Sequence, residues 1–530
     1  MRDASDLSDS SAPSVASFVS DASGAEAARA RRTLIPLLFV YLLGTVCLQA
    51  FNLVFQRIGA DLGAPDRASL ITAVPGVVLG IACFVYGSLC DFLALRRLAV
   101  FGIGLLCAGS VAGFLFHGGI GAVIVCRIVQ TIGFQAAGSV YLVIVARYLR
   151  AGEKLLYFGM FTAAYQLATA IGVLSGGLVE SVDWSLLFLI PLLSVVVLPV
   201  LVRYLPGSSD ASDVSGAAGA AGAAGGAGPV VASDGGRKDG GVDVPGFTLF
   251  GAAVLLLTLF FSMMRWWMVA ASVLLFAAFA LYISRARDPF ITPDFFRNRR
   301  WLRSVMLIVV FYFINFSITP LVNDFAGDVY GMNGSQVSFM LLPALLIATV
   351  SGVCSGRVSR LLGRERAILL GGSLMCLGML GCALGLGAGL GTGLEVGLEG
   401  GFGAFGTGPV AVGASMCLFY GGMAMLYAPT VDTVLGTLSE EQSGRGVGLN
   451  DLAMQGAGAV GIAVFGTPIA TRPFGAWSVA GLTGVAANAS NLFLIYAAIM
   501  LFGVLWFLCF RRSIRGAGAG TPIHSPSGGR

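Results

Sequence analysis

TLIPLLFVYLLGTVCLQAFNLVF, residues 33–55, decides the fold. The run holds no charged side chain, and wound as a helix at about 1.5 Å per residue it reaches about 34 Å. A bilayer's hydrocarbon core is about 30 Å thick, so the run spans it. Arg29, Arg31 and Arg32 stand just before it and read as an anchor that keeps the N-terminus inside. The run is too long for a cleaved signal peptide, and no small-residue cleavage site closes it. Runs of the same kind recur at 69–89, 98–116, 119–146, 155–179, 184–204, 246–264, 266–283, 304–322, 336–355, 367–390, 410–436, 446–470 and 490–510. The expectation is an all-α integral membrane protein of about fourteen transmembrane helices.

Composition agrees. Hydrophobic residues make up 56% of the 530-residue chain and charged residues 11%, with a mean hydropathy of +0.87. Soluble domains carry about 25% charge, and no soluble fold has interior enough for this much apolar surface. The net charge of +5 is spread between the apolar runs, which argues for topology anchoring and against nucleic acid. The ten cysteines lie almost entirely inside apolar runs with no CxxC pair, and read as small core- or lipid-facing residues. With only His117 and His524 in the chain, no metal site and no cofactor are expected.

With the N-terminus inside, only Arg57, Arg67, Arg265 and Arg472 fall in outside loops; Arg127 falls within a span, and every other Lys and Arg is inside. That bias obeys the positive-inside rule and requires an even number of spans, putting both termini in the cytoplasm and the chain in the cell membrane. The expected organisation is a disordered N-tail (1–32), a six-helix bundle (33–205), a flexible Gly/Ala-rich linker (206–245), an inserted central helix pair (246–283), a second six-helix bundle (284–510) and a C-tail (511–530). A Gly-rich stretch, 391–408, lies on the outer side.

A basic turn after the second span reads Gly87-Ser-Leu-Cys-Asp91-Phe-Leu-Ala-Leu-Arg96-Arg97. It resembles the G-x-x-x-D-R-x-G-x-R-R signature of the major facilitator superfamily, with Phe92 and Ala94 in place of Arg and Gly. Gly87 would admit close helix approach, and Asp91 with Arg96 and Arg97 would latch one access state; the bland alternative is a plain topogenic loop. The second-half loop Gly356–Arg364 echoes it, with Ser359 where an acid would stand. Further stretches resemble the fourteen-helix drug/proton antiporters, the Gram-positive tetracycline/proton antiporters above all: Arg127-Ile-Val-Gln130-Thr-Ile-Gly133, Asp183-Trp184-Ser185, Asp288-Pro289-Phe290, and Glu441-Gln442-Ser443-Gly444 before helix thirteen. The resemblance implies two six-helix bundles plus two inserted helices, rocking-bundle alternating access, and Arg127, Gln130 and Gly133 lining the cavity and coupling proton movement to substrate. Helix five keeps the family's Gly pattern at Gly172, Gly176 and Gly177, with Val173 where Pro is expected.

Arg127 lies about 12 Å inside its span, where an unpartnered cation costs at least about 2.5–3.5 kcal/mol; it serves coupling, or it snorkels to the outer interface, or it fixes a helix pair. The first six spans hold no acid in their apolar core, and Leu48, Gln49 and Asn52 stand where many relatives carry one. The candidates for a titrating carboxyl are Asp91, Asp324, Asp432 and Asp451, with Asp324 read as interfacial. Gln135, Tyr165, Gln166 and Asn315, with Asn52 and Gln130, either line a substrate cavity or hydrogen-bond helix to helix. Amides with aromatics suit a bulky amphipathic or weakly cationic compound.

No Ser/His or His/Asp set supports an enzyme, no GxxxxGK[ST] supports a pump, and no filter repeat supports a channel. The reading that remains is a monomeric secondary transporter exporting drug-like small molecules against protons, hence conferring antibiotic resistance. A facilitator or importer of a small metabolite on the same fold, with coupling lost or altered, is the alternative.

Overall fold

The computed structural model describes residues 15–149, 151–180, 182–205, 243–286, 289, 291, 296–387, 407–438 and 440–514, with some side chains inside these ranges excepted. The described residues are helical almost throughout. The first bundle holds α1 (Val15–Asp61), α2 (Leu70–Phe92), α3 (Leu95–Leu115), α4 (Ile120–Tyr148), α5 (Ala151–Glu180) and a sixth crossing that runs as 3-10 helix over Trp184–Val197 into α6 (Leu198–Tyr204). A pair follows, α7 (Val244–Met263) and α8 (Trp266–Arg285). The second bundle holds α9 (Arg299–Tyr312), α10 (Asn315–Tyr330), α11 (Gly334–Leu362), α12 (Arg364–Gly385), α13 (Thr407–Leu435), α14 (Glu440–Thr471) and α15 (Gly484–Ile514). Thirteen helical spans among the described residues are long and apolar enough to cross a membrane, α9 and α10 forming one of them. α5, with its apolar stretch Ala163–Val179, makes a fourteenth crossing.

The two bundles pack alike. In the first, α3 and α2 lie against α4, α1 against α5, and the sixth crossing against α1 and α3. In the second, α12 and α11 lie against α13, the broken α9–α10 crossing against α14, and α15 against α9 and α12. This is one arrangement built twice. The same device holds the third and fourth helices of each. A Cβ at Gly102 would stand 2.7 Å from the Gly133 carbonyl, and one at Gly371 2.9 Å from the Gly422 carbonyl, so each pair of helices touches backbone to backbone. Between bundles the contacts are also paired: α2 with α14, α5 with α11, and α1 with α10. α7 rests on both α2 and α14, which puts the inserted pair beside one of these seams.

Three expectations are corrected. The segment 15–32, expected to be disordered, is the start of α1. Its alanines favour helix, and extending an existing helix carries no nucleation cost; residues 1–14 lie outside the described residues. The sixth crossing opens as 3-10 helix, with Asp183 accepting from Ser185 N at 2.8 Å. Glu441–Gly444, expected in a loop, lie in the first turns of α14. The linker, apart from its end at 243–245, the Gly-rich stretch 388–406, Asp288 and the C-tail beyond 514 lie outside the described residues.

Capping sets the helix starts. Asp243 caps α7 through Gly246 N at 2.9 Å, and the Tyr282 hydroxyl donates to it from α8, tying the inserted pair together. Asn333 and Gln336 form a capping box on α11. The α9–α10 break at Phe313 and Ile314 is backed by Gly461 of α14, where any side chain would overlap the Phe313 carbonyl. Irregular backbone at membrane depth is tolerated only when so covered.

Gly133→Val would force α3 and α4 apart. It is expected to cost more than about 2 kcal/mol, seen as a marked fall in melting temperature in detergent. Gly104→Val on α3, a position with open space around it, should leave the melting temperature unchanged.

Candidate functional site: two buried charges and the seam between bundles

Turns at 93–94, 149 and 363 mark one end of the molecule, the Arg96 end; turns at 62–69, 182–183 and 331–333 mark the other, the Asn333 end. Cross-bundle hydrogen bonds cluster from mid-depth to the Asn333 end. Ser338 Oγ donates to the Val173 carbonyl at 2.8 Å and Ser335 Oγ to the Gly177 carbonyl at 3.0 Å. Asn323 Nδ2 donates to the Leu53 carbonyl at 3.4 Å, and Gln56 Nε2 to the Gly466 carbonyl at 3.5 Å. A Cβ at Gly177 would overlap Gly334 and Ser338, and one at Gly76 would stand 3.0 Å from Ala459. The molecule is therefore closed at the Asn333 end. Gly172 and Gly176 serve a different contact, letting α5 approach the backbone of α1 at Val46 and Ala50.

Among the described residues two charged side chains are buried, Arg127 at 1% exposure and Asp451 at 2%. Each bundle holds one. Arg127 Nη1 donates to Gln130 Oε1 at 2.9 Å and lies 3.4 Å from Cys47 Sγ, while its guanidinium sits 4.3 Å from the centre of the Phe51 ring. Gln130 Nε2 continues to Ser110 Oγ on α3 at 2.8 Å. Arg127 Nε and Nη2 make no hydrogen bond. The cation is thus held by an aromatic face, an amide oxygen and a sulfur, inside the first bundle between α1, α3, α4 and the sixth crossing. Gln130, expected to line the cavity, turns toward α3 instead, and Gly133, expected both to line the cavity and to pack helices, serves the packing of α4 on α3. The burial of Arg127 rules out snorkelling to the interface, while its contacts with α1 and, through Gln130, with α3 are those of a residue that fixes helices together.

Asp451 lies on the α2 side of α14. Cys83 Sγ donates to its Oδ2 at 3.7 Å, and Gln135 Nε2 donates to the same sulfur at 3.0 Å. Tyr41, Tyr165 and Tyr312, from α1, α5 and α9, are within electrostatic reach of the Asp451 carboxyl. Asn52 Nδ2 donates to Gln49 Oε1 at 3.0 Å, and Gln49 Nε2 to Thr169 Oγ1 at 3.3 Å, one turn from Tyr165. Gln166 faces Gly352 across the α5–α11 seam. Tyr165 and Asp451 therefore come together, with Gln49 and Asn52 beside them, while Asn315 opens α10 at the helix break. Sequence reasoning missed Cys83, Tyr41 and Tyr312 because each sits in an apolar run with nothing to set it apart.

The remaining candidates lie at the ends. Asp432 is half-exposed and pairs with Arg364 at 3.3 Å, within its own bundle at the Arg96 end. Arg96 and Arg97 are exposed there and Gly87 is buried, while the Asp91 side chain lies outside the described residues. At the Asn333 end Arg472 bridges Asp324, at 3.3 Å, and Asp328. Burial draws the Arg472 pKa down, but the two carboxylates more than offset this and leave it raised.

Phe51 and Arg127 should be energetically coupled. In a double-mutant cycle with Phe51→Leu and Arg127→Met, read by melting in detergent, a coupling of about 1–2 kcal/mol is expected for a desolvated cation–π pair. Additive effects would remove the ring from the account of how this charge is tolerated.

A family model described as Major Facilitator Superfamily matches residues 37–462. The chain is 25% identical over 406 residues to the tetracenomycin C resistance and export protein of Streptomyces glaucescens, across 75% of this chain and 68% of that one. It is 22% identical over 312 residues to multidrug resistance protein 3 of Bacillus subtilis (strain 168), across 57% of this chain and 56% of that one, so it spans little more than half of that relative. Among solved structures it superposes on a peptide transporter POT bound to alafosfalin with a TM-score of 0.60 at 15% identity, over 91% of this chain and 95% of that one. It superposes on the nucleoside transporter NupG with a TM-score of 0.54 at 12% identity, over 90% and 99%. At such identities the likeness is one of fold.

Proposed function

This chain belongs to the major facilitator superfamily, and from that premise we propose that it is a proton-coupled exporter of amphipathic, drug-like small molecules. It is a transporter and not an enzyme, with a lipid bilayer around it. The observation that carries the proposal is the Asp451 carboxyl, buried where α14 of one bundle meets α2 of the other. A carboxyl there changes surroundings whenever the seam opens, and a change of surroundings is what makes a group bind and release a proton in step with motion. The two curated relatives, named for resistance and export, support the direction and the class of cargo.

The charge distribution supports a cell-membrane orientation with the Arg96 end and both termini in the cytoplasm. Closure at the Asn333 end then corresponds to an inward-facing state, in which cargo enters from the cytoplasm. The tyrosines around Asp451, with Gln49, Asn52 and Gln166, offer aromatic faces and amide partners to a bulky amphipathic molecule. One carboxylate at the centre suits a neutral or singly cationic compound. Cargo and proton compete for this region: the cargo binds the ionised carboxylate from the inside, and a proton displaces it after the seam opens outward. Arg127, the fixed positive charge inside the first bundle, is assigned to coupling by its resemblance to the family's Arg-x-x-Gln stretch. The transporter works as a monomer, each chain holding both halves of its cleft.

Inside-out vesicles given ethidium in the medium and energised by respiration provide the test. The parent chain should concentrate ethidium, and an uncoupler should abolish the gradient. Asp451→Asn and Arg127→Ala should each lower uphill transport at least about tenfold, as expected for loss of a group acting in the coupled step. Ethidium equilibration indifferent to the uncoupler would replace antiport with the facilitator reading, and full uphill transport by Arg127→Ala would remove that residue from coupling.

A further inference from the structure

The polar contact that joins the bundles at mid-depth is made by a thiol. Cys83 is 8% exposed, Gln135 4% and Asp451 2%. Gln135 Nε2 presses an N–H on the Cys83 sulfur at 3.0 Å and also reaches Ser139 Oγ at 3.3 Å, while the thiol donates onward to Asp451 Oδ2 at 3.7 Å. The order of donors runs from α4 through α2 to the carboxylate on α14. A thiol is a weak donor in isolation, but a donor placed on its sulfur strengthens its own donation in a water-poor site. The approach depends on glycine: a Cβ at Gly80, one turn before Cys83, would stand 3.1 Å from Leu452, the neighbour of Asp451.

Gln135 and Cys83 belong to the first bundle and Asp451 to the second, so this chain of hydrogen bonds exists only while α2 and α14 are together. We propose that Cys83, backed by Gln135, is a positioning residue for Asp451: it holds the carboxylate ionised while the Asn333 end is closed, and its withdrawal as the seam opens favours protonation. The inference rests on the proposed role of Asp451 as proton carrier and supplies the link between that proton and the conformational state. Among the described residues, the hydroxyls of Tyr41 on α1, Tyr165 on α5 and Tyr312 on α9 also face Asp451. Phenols stay protonated across the working pH range, and among these described groups the thiol is the one that donates a hydrogen bond to the carboxylate across the seam.

Dicyclohexylcarbodiimide attacks protonated carboxyls in apolar surroundings, so its labelling of Asp451, mapped by peptide mass spectrometry on the purified full chain, reads protonation with no cargo present. Labelling should fall as pH rises. In Cys83→Ala the midpoint should move to higher pH by about one unit, the scale of one hydrogen bond to a charged group. Gln135→Leu should move it in the same direction by less, and Cys83→Ser, which keeps a donor, should stay near the parent. Melting in detergent checks that each variant is folded. If folded Cys83→Ala and Gln135→Leu both overlay the parent curve, the positioning role is overturned. If instead Asp451→Asn keeps uncoupler-sensitive ethidium transport, the proton-carrier reading itself falls, whatever the labelling curves do.

Discussion

A charge in hydrocarbon survives only where other helices bring it partners, and this constraint organises the molecule. Arg127 and Asp451 are the two buried charges among the described residues, and no ion pair between them offsets either. Each is tolerated through neighbours from several helices. Arg127 draws on α1 and, through Gln130, on α3, all within one bundle. Asp451 draws on the opposite bundle through Cys83. The difference has a mechanical consequence. The surroundings of Arg127 travel as a unit when the bundles rock, whereas those of Asp451 cannot stay the same. Under the proposed antiport, a fixed charge in one half and a state-dependent one in the other is the asymmetry that coupling needs, and it would arise inside a scaffold whose halves are otherwise packed alike.

That duplicated scaffold explains where stiffness and freedom lie. Within each bundle, glycine removes the side chain between the third and fourth helices, and backbones meet at Gly102 with Gly133 and at Gly371 with Gly422. Such contacts are short and continuous, so each bundle moves as a body. Between bundles the closures are local: Gly177 under Gly334 and Ser338, Gly76 against Ala459, and a handful of hydroxyl and amide bonds to carbonyls. A serine bonded to a carbonyl across the seam can turn to a carbonyl of its own helix, and Ser338 Oγ already reaches the Gly334 carbonyl at 2.8 Å. Breaking that part of the seam therefore strands no buried donor.

The crossings were legible in the sequence because hydrocarbon demands runs of apolar residues about as long as the bilayer is thick, and such runs survive any detail of packing. Arg127 and Asp451 were legible for the same reason, as charges inside those runs. What the runs do not encode is which face of a helix meets the cleft. A soluble helix announces its buried face by its pattern, but around its few polar residues α4 is apolar whether a side meets lipid or protein, since both make the same demand. Hence Gln130 and Gly133, assigned to the cavity by resemblance, turn to α3, and Gln135, one further turn along, reaches the seam only through Cys83. Cys83 itself read as one more small apolar residue, because its partner lies 368 residues away. The start of α1 was misread for the opposite reason: polar, alanine-rich sequence looks like a tail by composition, yet it costs little to wind once anchored to a helix.

The inserted pair bears on the same seam. α7 packs against both α2 and α14, the helices that carry Cys83 and Asp451, with Gly251 of α7 facing Ile81, two residues from Cys83. The α5–α11 seam, related to this one by the internal repeat, has no such cover among the described residues, and it carries hydroxyls and glycines there. A carboxylate at a seam open to lipid would pay the full cost of facing hydrocarbon each time the helices parted, whereas a serine returns to its own backbone. α7 lies over the charged seam and α8 packs on α7, so the pair covers the junction that holds the carboxyl. The position of the insertion, between the bundles in sequence and against only one of their two junctions in space, is thus matched to where the buried acid sits.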